Sequence, residues 1–429
     1  MFEKFDIIVV GAGLSGLAAA IQCALSGHNI TILESAKELA EIGAGLQLTP
    51  NSTRILQKWN VYPKIRGPCE PTTCTVYSYK GETLAHEDSF NTNTRQKYGA
   101  PFADVHRVDL QQALVARARE LGVTVVLDAR VTSIDFGTKE GDKAKVVTES
   151  KTFEGDLVVG ADGLWSTCRS ALLGTEDKPL PTGDLAFRIV LRIHQLWDED
   201  LRKMVQNPGV RFWIGPDAHV VAYSVRGGSM YNVVLLVPDD LPESVARTEG
   251  SLEEMKKLFE GWDPVLTRLL SHVKHVDKWK LMHRSALPTW LHPHSNLVLI
   301  GDSCHPMLPY LAQGANSSIE DGAALGLLLA PSICPTKPQL PSTLALFQRL
   351  RKARGEAIAN ETFKQRRDFH LPDGEEQRRR DEVFKRWMGE GEVKGEFPSR
   401  WTCPVVQPWL WGYDVEAEVE GAVAEMAVM

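Results

Sequence analysis

Three short glycine-rich segments carry the groups best suited to binding a nucleotide. They are Gly11-Ala12-Gly13-Leu14-Ser15-Gly16, Gly160-Ala161-Asp162-Gly163 and Gly301-Asp302. Each follows an apolar run typical of a buried parallel strand. Because ligands of open α/β sheets bind at the carboxyl ends of strands, we expect the three segments to meet at one pocket. Such a pocket indicates a large dinucleotide held along its whole length, and FAD fits it better than NAD.

The first segment has the spacing of a dinucleotide-binding fingerprint. Gly11 suits the tight turn, Gly13 allows the backbone to approach a pyrophosphate, and Gly16 allows close packing of helix on strand. The start of the following helix would offer N–H groups and a positive dipole end to the phosphates. Glu34 ends the next predicted strand, where its carboxylate could hydrogen-bond a ribose hydroxyl.

The second and third segments each allow two interpretations. Asp162 could bind ribose or ribityl hydroxyls, or it could cap the following backbone, since Asp-Gly is also common turn chemistry. The third segment leads to a helix that we predict to begin at about Asn316. Backbone N–H groups at that start would suit a ring carbonyl that gains negative charge on reduction. A simple helix cap at Asn316 or Ser317 would explain the same residue types.

Another pair of residues could act on a phenol. His219 and Tyr223 are four residues apart on a predicted strand, so they share one face. A free phenol has a pKa of about 10, and a histidine within hydrogen-bond reach could take its proton while Tyr223 orients the ring. Arg211 is the preferred partner for a carboxylate or phenolate, ahead of Arg188, Arg192 and Arg226. The competing interpretation is a half-buried strand histidine, a packing tyrosine and solvated arginines.

The elements that would position these residues predict an α/β fold of three parts. Alternating segments from about residue 179 indicate a mainly antiparallel sheet. We therefore predict a discontinuous Rossmann-like, GR2-type domain for FAD at residues 1–178 and 286–343, interrupted by a β-sheet substrate domain at 179–285. Residues 344–429 are expected to form a C-terminal helical region and tail.

Composition limits the class of protein. The chain has 429 residues, 43% of them hydrophobic and 24% charged, which is typical of a soluble globular protein. A net charge of −7 gives no reason to expect a nucleic acid or an anionic membrane as partner. The chain enters a strand at once, so we expect no signal peptide and a cytoplasmic location. Seven scattered cysteines predict neither a zinc site nor a disulfide framework, and no metal is expected.

These motifs, taken together, resemble those of the group A flavoprotein aromatic hydroxylases, of the salicylate hydroxylase and para-hydroxybenzoate hydroxylase type. The similarity covers about residues 5–330. Its most specific part is the stretch 301–322, and the tail at 408–414 is similar to fungal members of the family. The resemblance implies tight, non-covalent FAD and NADH or NADPH as co-substrate. It also implies that O2 forms a flavin C4a-hydroperoxide, which hydroxylates a phenolic substrate such as a salicylate-like acid or a polyketide resorcinol.

The resemblance also implies roles along the cofactor. Glu34 would hold the adenosine ribose, Arg107 would approach the phosphates, and Val131 would contact adenine through its backbone. Asp302 would bind the ribityl chain or the pyrophosphate.

Nearer the flavin ring, Gly45 would belong to a small-residue loop that lets the flavin swing between two positions. Backbone N–H groups would stabilise the pyrimidine edge at Gly314, Ala315 and Asn316. A His-x-x-x-Tyr pair such as His219 and Tyr223 occurs in members that hydroxylate phenolic acids or pyridinols.

Other functions remain open at this stage. The chain could be a dearomatising hydroxylase or epoxidase of a secondary-metabolite pathway, or a flavin oxidoreductase without oxygen transfer. A binding protein that has lost catalysis is disfavoured, because all three nucleotide segments are intact. The sequence does not decide between NADH and NADPH, or between a monomer and a homodimer.

Overall fold

The computed structural model describes residues 2–39, 43–388 and 397–428. The strands are β1 (Asp6–Val10), β2 (Asn29–Leu33), β3 (Gly45–Leu48), β4 (Thr73–Ser78), β5 (Thr83–Asp88), β6 (Ala103–His106), β7 (Thr124–Val126), β8 (Val131–Asp135), β9 (Ala144–Thr148), β10 (Thr152–Gly155), β11 (Leu157–Gly160), β12 (Leu180–Arg192), β13 (Gly209–Gly215), β14 (Ala218–Val225), β15 (Met230–Pro238), β16 (Arg247–Glu249), β17 (Asp277–His283) and β18 (Leu297–Leu299). The helices are α1 (Leu14–Leu25), α2 (Pro50–Lys58), α3 (Phe90–Tyr98), α4 (Arg107–Glu120), α5 (Thr167–Leu173), α6 (Glu199–Gln206), α7 (Leu252–Leu258), α8 (Pro264–Ser271), α9 (Gln313–Leu328), α10 (Leu340–Phe369), α11 (Glu375–Met388), α12 (Val406–Trp411) and α13 (Val415–Val428).

A five-stranded parallel sheet forms the centre of the first part of the molecule. Its order is β18-β11-β1-β2-β7. Strands β1, β11 and β18 are buried and rich in valine, leucine and isoleucine, as expected when helices cover a parallel sheet. Since β1, β11 and β18 are adjacent, the three glycine-rich segments that follow them lie at the same edge, as the sequence predicts.

Close packing of α1 on β1 depends on Gly16. A Cβ atom at this position would lie 2.0 Å from the carbonyl oxygen of Gly11. No larger residue fits without moving the helix, and the helix start is therefore held directly above the end of β1.

An eight-stranded sheet forms the second part. Its order is β16-β17-β12-β15-β14-β13-β4-β5, and all neighbours are antiparallel except β13 and β4. Strands β4 and β5 (residues 73–88) belong to this sheet, although they lie within the predicted FAD domain along the chain. Strand β4 pairs with β13, which lies more than a hundred residues later, and the position of β4 along the chain gives no sign of this pairing.

One predicted helix start also differs. Helix α9 begins at Gln313 rather than near Asn316, because Ala312 adopts a left-handed conformation (φ 52°) and turns the chain into the helix. Further along the chain, α7 and α8 are two short helices separated by five residues. Asp263 caps α8 by accepting the Val265 N–H at 2.9 Å, and Pro264 occupies its first position.

Within the described ranges, no helix combines the length and the apolar character needed to cross a membrane.

Candidate active site

A cavity of about 460 Å³ lies at the carboxyl ends of β1, β2 and β11. Its lining contains five of the predicted cofactor residues, namely Gly11, Gly13, Glu34, Val131 and Asp162. Gly13 stands at the start of α1, and a Cβ atom there would meet no other atom within 4 Å. The backbone at this helix start is therefore open to a ligand.

Glu34 is held in position by backbone groups. One carboxylate oxygen accepts the Ala12 N–H at 2.8 Å, and the other accepts the Ala36 N–H at 2.8 Å. The carboxylate therefore bridges the first glycine loop and the segment after β2. In this position its remaining lone pairs can accept hydrogen bonds from hydroxyl groups in the cavity.

Asp162 makes the contacts of a capping residue. Its two oxygens accept the Ser166 hydroxyl at 2.5 Å and the Cys168 N–H at 2.9 Å. Burial raises the pKa of this carboxyl above its usual value, and these hydrogen bonds partly offset the shift. Asp162 thus stabilises the turn into α5 while it lines the cavity.

A second cavity, of about 280 Å³, opens from the same glycine loops. Gly13, Ala161 and Gly163 line both cavities. The second one also contains further predicted cofactor residues, namely Gly45, Arg107, Asp302, Gly314 and Ala315. The two cavities together form a long site that runs from β2 to the eight-stranded sheet.

The start of α9 forms one wall of the second cavity. The N–H groups of Gln313, Gly314 and Ala315 belong to the first turn and have no partner within the helix. Gly314 and Ala315 line the cavity, so an electron-rich carbonyl at this wall would meet N–H donors and the positive end of a helix.

The structure does not bring Asn316 to the cavity lining. Its side-chain oxygen accepts the Thr49 N–H at 3.0 Å, and its amide nitrogen donates to the Gln47 carbonyl at 3.0 Å. The buried Asn316 side chain therefore connects α9 to β3 and to the residue that follows it, which fixes the position of the helix start.

Gly45 makes a close contact between β3 and the eight-stranded sheet. Its N–H donates to the Asn232 side-chain oxygen at 2.7 Å, and a Cβ atom here would lie 2.6 Å from the Tyr223 ring. A residue with a side chain would separate β3 from β14 and β15. The preceding loop residues 40–42 lie outside the described residues.

Arg107 and Asp302 face the second cavity from different elements. Arg107 begins α4, and its N–H donates to the Ala44 carbonyl at 3.0 Å. Asp302 follows β18. A guanidinium and a carboxylate therefore line the same cavity, where they could contact phosphates and hydroxyls respectively.

His219 and Tyr223 lie on β14, on the same face, and both line the second cavity. Burial lowers the pKa of His219 well below its usual value and raises that of Tyr223 well above 10, so both side chains are neutral near pH 7. His219 Nδ1 is 2.7 Å from His370 Nε2. Among the described residues nothing hydrogen-bonds His219 Nε2, which can therefore accept a proton from a ligand.

Arg211, the arginine preferred from the sequence, is not brought to this cavity. It pairs with Ala222 in the sheet, so its side chain lies on the face opposite to Tyr223. Its guanidinium instead donates to the Gly209 carbonyl at 3.3 Å.

Arg188 of β12 lines the cavity instead. Its guanidinium lies 4.7 Å from the centre of the Trp279 ring. No carboxylate of the described chain is within ion-pair distance of it. Burial lowers its pKa, yet an arginine stays protonated in proteins, so Arg188 offers a positive charge to a ligand.

Sequence reasoning missed the contribution of the later chain to this cavity. Tyr310 and Trp401 both line it, and the Trp401 indole donates to the Tyr310 carbonyl at 3.3 Å. His370, at the end of α10, contacts His219. The aromatic-rich tail was the available signal, but it does not reveal which of its residues point inwards.

The residues present fit FAD. The start of α1 would face the phosphates, the start of α9 would face the flavin ring, and the Glu34 carboxylate would bind the ribose of the adenosine. FAD-binding domain is also the description of the family whose model matches residues 4–362. The chain is 51% identical over 428 residues to the FAD-dependent monooxygenase OpS4 of Beauveria bassiana, covering 98% of each.

The chain belongs to the FAD-dependent aromatic hydroxylases.

Other members of this hydroxylase family are more distant. The 3-hydroxybenzoate 6-hydroxylase of Polaromonas naphthalenivorans is 31% identical over 411 residues, covering 95% of this chain and 96% of that protein. A solved salicylate hydroxylase substrate complex has a TM-score of 0.77 at 20% identity, covering 98% of each chain. The hydroxylase fold is therefore shared along almost the whole length.

Proposed function

We propose that this protein uses NAD(P)H and O2 to hydroxylate a phenolic substrate held in the second cavity. One observation carries the proposal. A neutral histidine, a tyrosine and an arginine without a carboxylate partner in the described chain line the same cavity as the start of α9. Two related proteins are named for phenolic acids, 3-hydroxybenzoate and salicylate, which supports a substrate of this class.

The three side chains have complementary roles in this proposal. His219 Nε2 accepts the phenol proton, which makes the ring more electron-rich. Tyr223 keeps its own proton because burial raises its pKa, so it donates a hydrogen bond that orients the substrate oxygen. Arg188 balances the negative charge of the phenolate or of a ring carboxylate. Bound FAD would supply the redox chemistry that transfers oxygen to the ring.

Apolar side chains complete the cavity. Its lining includes Phe212, Leu236, Met307 and Trp401. They would exclude water from the reacting ring and strengthen the electrostatic contacts made by Arg188.

The proposal is tested by oxygen incorporation. The purified FAD-bound protein is mixed with NADH or NADPH and a panel of phenols, and products are analysed after reaction under ¹⁸O2. We expect phenol-stimulated oxidation of one or both nicotinamides and a product with one ¹⁸O atom. Stimulated oxidation that yields only hydrogen peroxide, or no stimulation by any phenol, would contradict the proposal.

The His219→Gln variant tests the assignment of the base. We expect its hydroxylation of a weakly acidic phenol to fall by about 100-fold, the order of a lost general base. His86→Gln is the matched control, because His86 lies on β5 and outside the cavity lining. Equal rates for the two variants would remove His219 from the proposal and leave oxygen transfer itself untouched.

A further inference from the structure

The proposed base belongs to a pair of buried imidazoles that joins two distant parts of the chain. His219 Nδ1 and His370 Nε2 are 2.7 Å apart. His219 lies on β14, and His370 caps the end of α10. The His370 carbonyl also accepts the Asp217 N–H at 3.2 Å, next to the start of β14. Backbone and side-chain contacts therefore hold the two rings in register.

A hydrogen bond between two neutral imidazoles holds one proton between two nitrogens. When His219 Nδ1 carries that proton, His219 Nε2 presents a lone pair to the cavity. When His219 Nε2 gains a proton, Nδ1 can give its own proton to His370 Nε2. His219 would then be neutral before and after the transfer.

The charged groups around the two histidines differ. Burial lowers the pKa of His219 well below its usual value, and no carboxylate opposes the effect, so a lasting positive charge there is unfavourable. Burial also lowers the pKa of His370, to about 4, with Asp184 raising it and Arg366 lowering it. Asp184 accepts hydrogen bonds from Tyr310 and Arg366. Among the residues that the structure describes, a transient positive charge therefore has a nearby carboxylate on the His370 side and none on the His219 side.

His370 is also the outer member of the pair. Its surface is 9% exposed, against 2% for His219. The chain continues from His370 into the exposed residues Pro372 and Asp373. His370 is thus the less enclosed of the two histidines, and a proton that leaves the pair would leave from its side.

We propose that His370 is a positioning residue that exchanges a proton with His219 and so carries the substrate proton out of the cavity. The proposal rests on the proposed function. The phenol O–H bond breaks as His219 Nε2–H forms, and His219 Nδ1–H breaks as His370 Nε2–H forms. The products are a phenolate, a neutral His219 and a protonated His370, which loses its proton to solvent.

His370→Gln separates this role from simple support. The glutamine oxygen can accept the His219 Nδ1–H hydrogen bond, but the amide cannot take up the proton. Single-turnover hydroxylation is measured by mixing the reduced, FAD-bound protein with O2 and phenols of different acidity. For phenols with a pKa of about 10 we expect a loss of about tenfold or more. Nitro- or fluoro-substituted phenols that are already ionised should react at the wild-type rate.

Phe369→Leu is the matched control for packing. The Phe369 ring contacts the His219 ring edge-on, with centres 5.3 Å apart, but it exchanges no proton. We expect this variant to lose the same factor with every phenol. His370→Asn, with a shorter amide, provides a second variant in case His370→Gln does not retain FAD.

The outcomes are distinguishable. If the wild-type protein hydroxylates no phenol, the proposed function fails. If it hydroxylates phenols and the His370 variants slow ionised and un-ionised phenols equally, the relay is overturned. The relay also predicts that wild-type and His370→Gln rates converge as the pH approaches the phenol pKa. Parallel pH profiles would contradict it.

Discussion

The two cavities of this hydroxylase are built in different ways. The first is made largely of backbone groups from short loops that follow adjacent strands, with Glu34 as its fixed carboxylate. The second takes its reactive side chains from β12, β14 and the later chain up to Trp401. The cofactor site is thus built mainly from backbone groups whose positions follow from adjacent strands. A substrate site, in contrast, is assembled from side chains that distant elements present.

Helix α9, whose start faces the second cavity, also depends on the later chain. Arg351 of α10 is fully buried, as are Glu320 and Asp321 of α9. Its guanidinium pairs with both carboxylates at 2.8 Å. Buried ion pairs thus hold α9 against α10 of the C-terminal region.

The largest expected effect comes from removing the buried ion pairs of Arg351. Arg351→Met leaves two buried carboxylates short of a partner, and we expect a loss of about 3–5 kcal/mol in the free energy of unfolding. Urea unfolding of the FAD-bound protein measures it. Arg349→Met is the control on the same helix, because Arg349 is 54% exposed and its ion pair with Glu425 is long, at 3.8 Å. It should cost no more than about 1 kcal/mol. Similar losses for both would show that α9 does not depend on the buried cluster.

The next largest effect distinguishes Arg188, which lines the second cavity, from Arg211, which the sequence favours. Arg188→Gln removes the cation of the cavity lining. We expect kcat/KM for a phenolic acid to fall by roughly 10- to 150-fold, which corresponds to a rise of about 1.5–3 kcal/mol in the activation free energy. Arg211→Gln should leave kcat/KM within about twofold of wild type, since its side chain lies on the other face of the sheet. The reverse ranking would mean that the substrate reaches the other face.

This contrast also shows what the sequence could predict. Gly11, Gly16 and Glu34 are recognisable because their roles follow from local spacing between a strand, a helix and the next strand. The His219–Tyr223 face follows from strand periodicity alone. The choice between Arg188 and Arg211 does not, because it depends on which face of the sheet meets the cavity.

Longer separations were beyond any local pattern. His370 is 151 residues from His219, and no motif marks it. Strands β4 and β5 were assigned to the nucleotide-binding part because they lie within it along the chain, although they pair with the second sheet. Pairing at such separation is set by tertiary packing, for which the sequence has no periodic signal.

A smaller effect separates structure from ligand binding within the first cavity. Gly16→Ala places a Cβ atom 2.0 Å from the Gly11 carbonyl oxygen, so α1 must move. We expect about 1–3 kcal/mol lower stability and weaker FAD binding. Gly13→Ala meets no atom within 4 Å and should weaken FAD binding without lowering the stability of the FAD-free protein. Thermal unfolding without FAD and FAD titration measure the two quantities. A destabilised Gly13→Ala would show that this glycine, too, serves packing.

The smallest expected effect is a pH dependence of the free energy of unfolding, which arises from a buried pair next to α9. His305 Nε2 and Asp321 form a buried pair at 2.5 Å. Burial alone would lower the pKa of His305, but Asp321 raises it above 6.5, and the pKa of Asp321 falls to about 2. A raised histidine pKa stabilises the fold below pH 6.5, and this stabilisation is lost as the pH rises through the folded-state pKa. A lowered aspartate pKa stabilises the fold above pH 3.8, and this is lost as the pH falls towards 2.

We therefore expect the free energy of unfolding of the wild type to decline above pH 6.5 by less than about 1.4 kcal/mol per pH unit, because one proton is released. His305→Gln should remove this alkaline decline, and the wild-type and variant curves should approach each other as the pH rises. Urea unfolding across the pH range provides the measurement. A variant curve that stays parallel to the wild type would show that folding does not raise the pKa of His305. The support behind α9 would then come from the arginines that pair with its carboxylates, Arg351 and Arg354, and the charges that fix the cofactor wall would be independent of pH over this range.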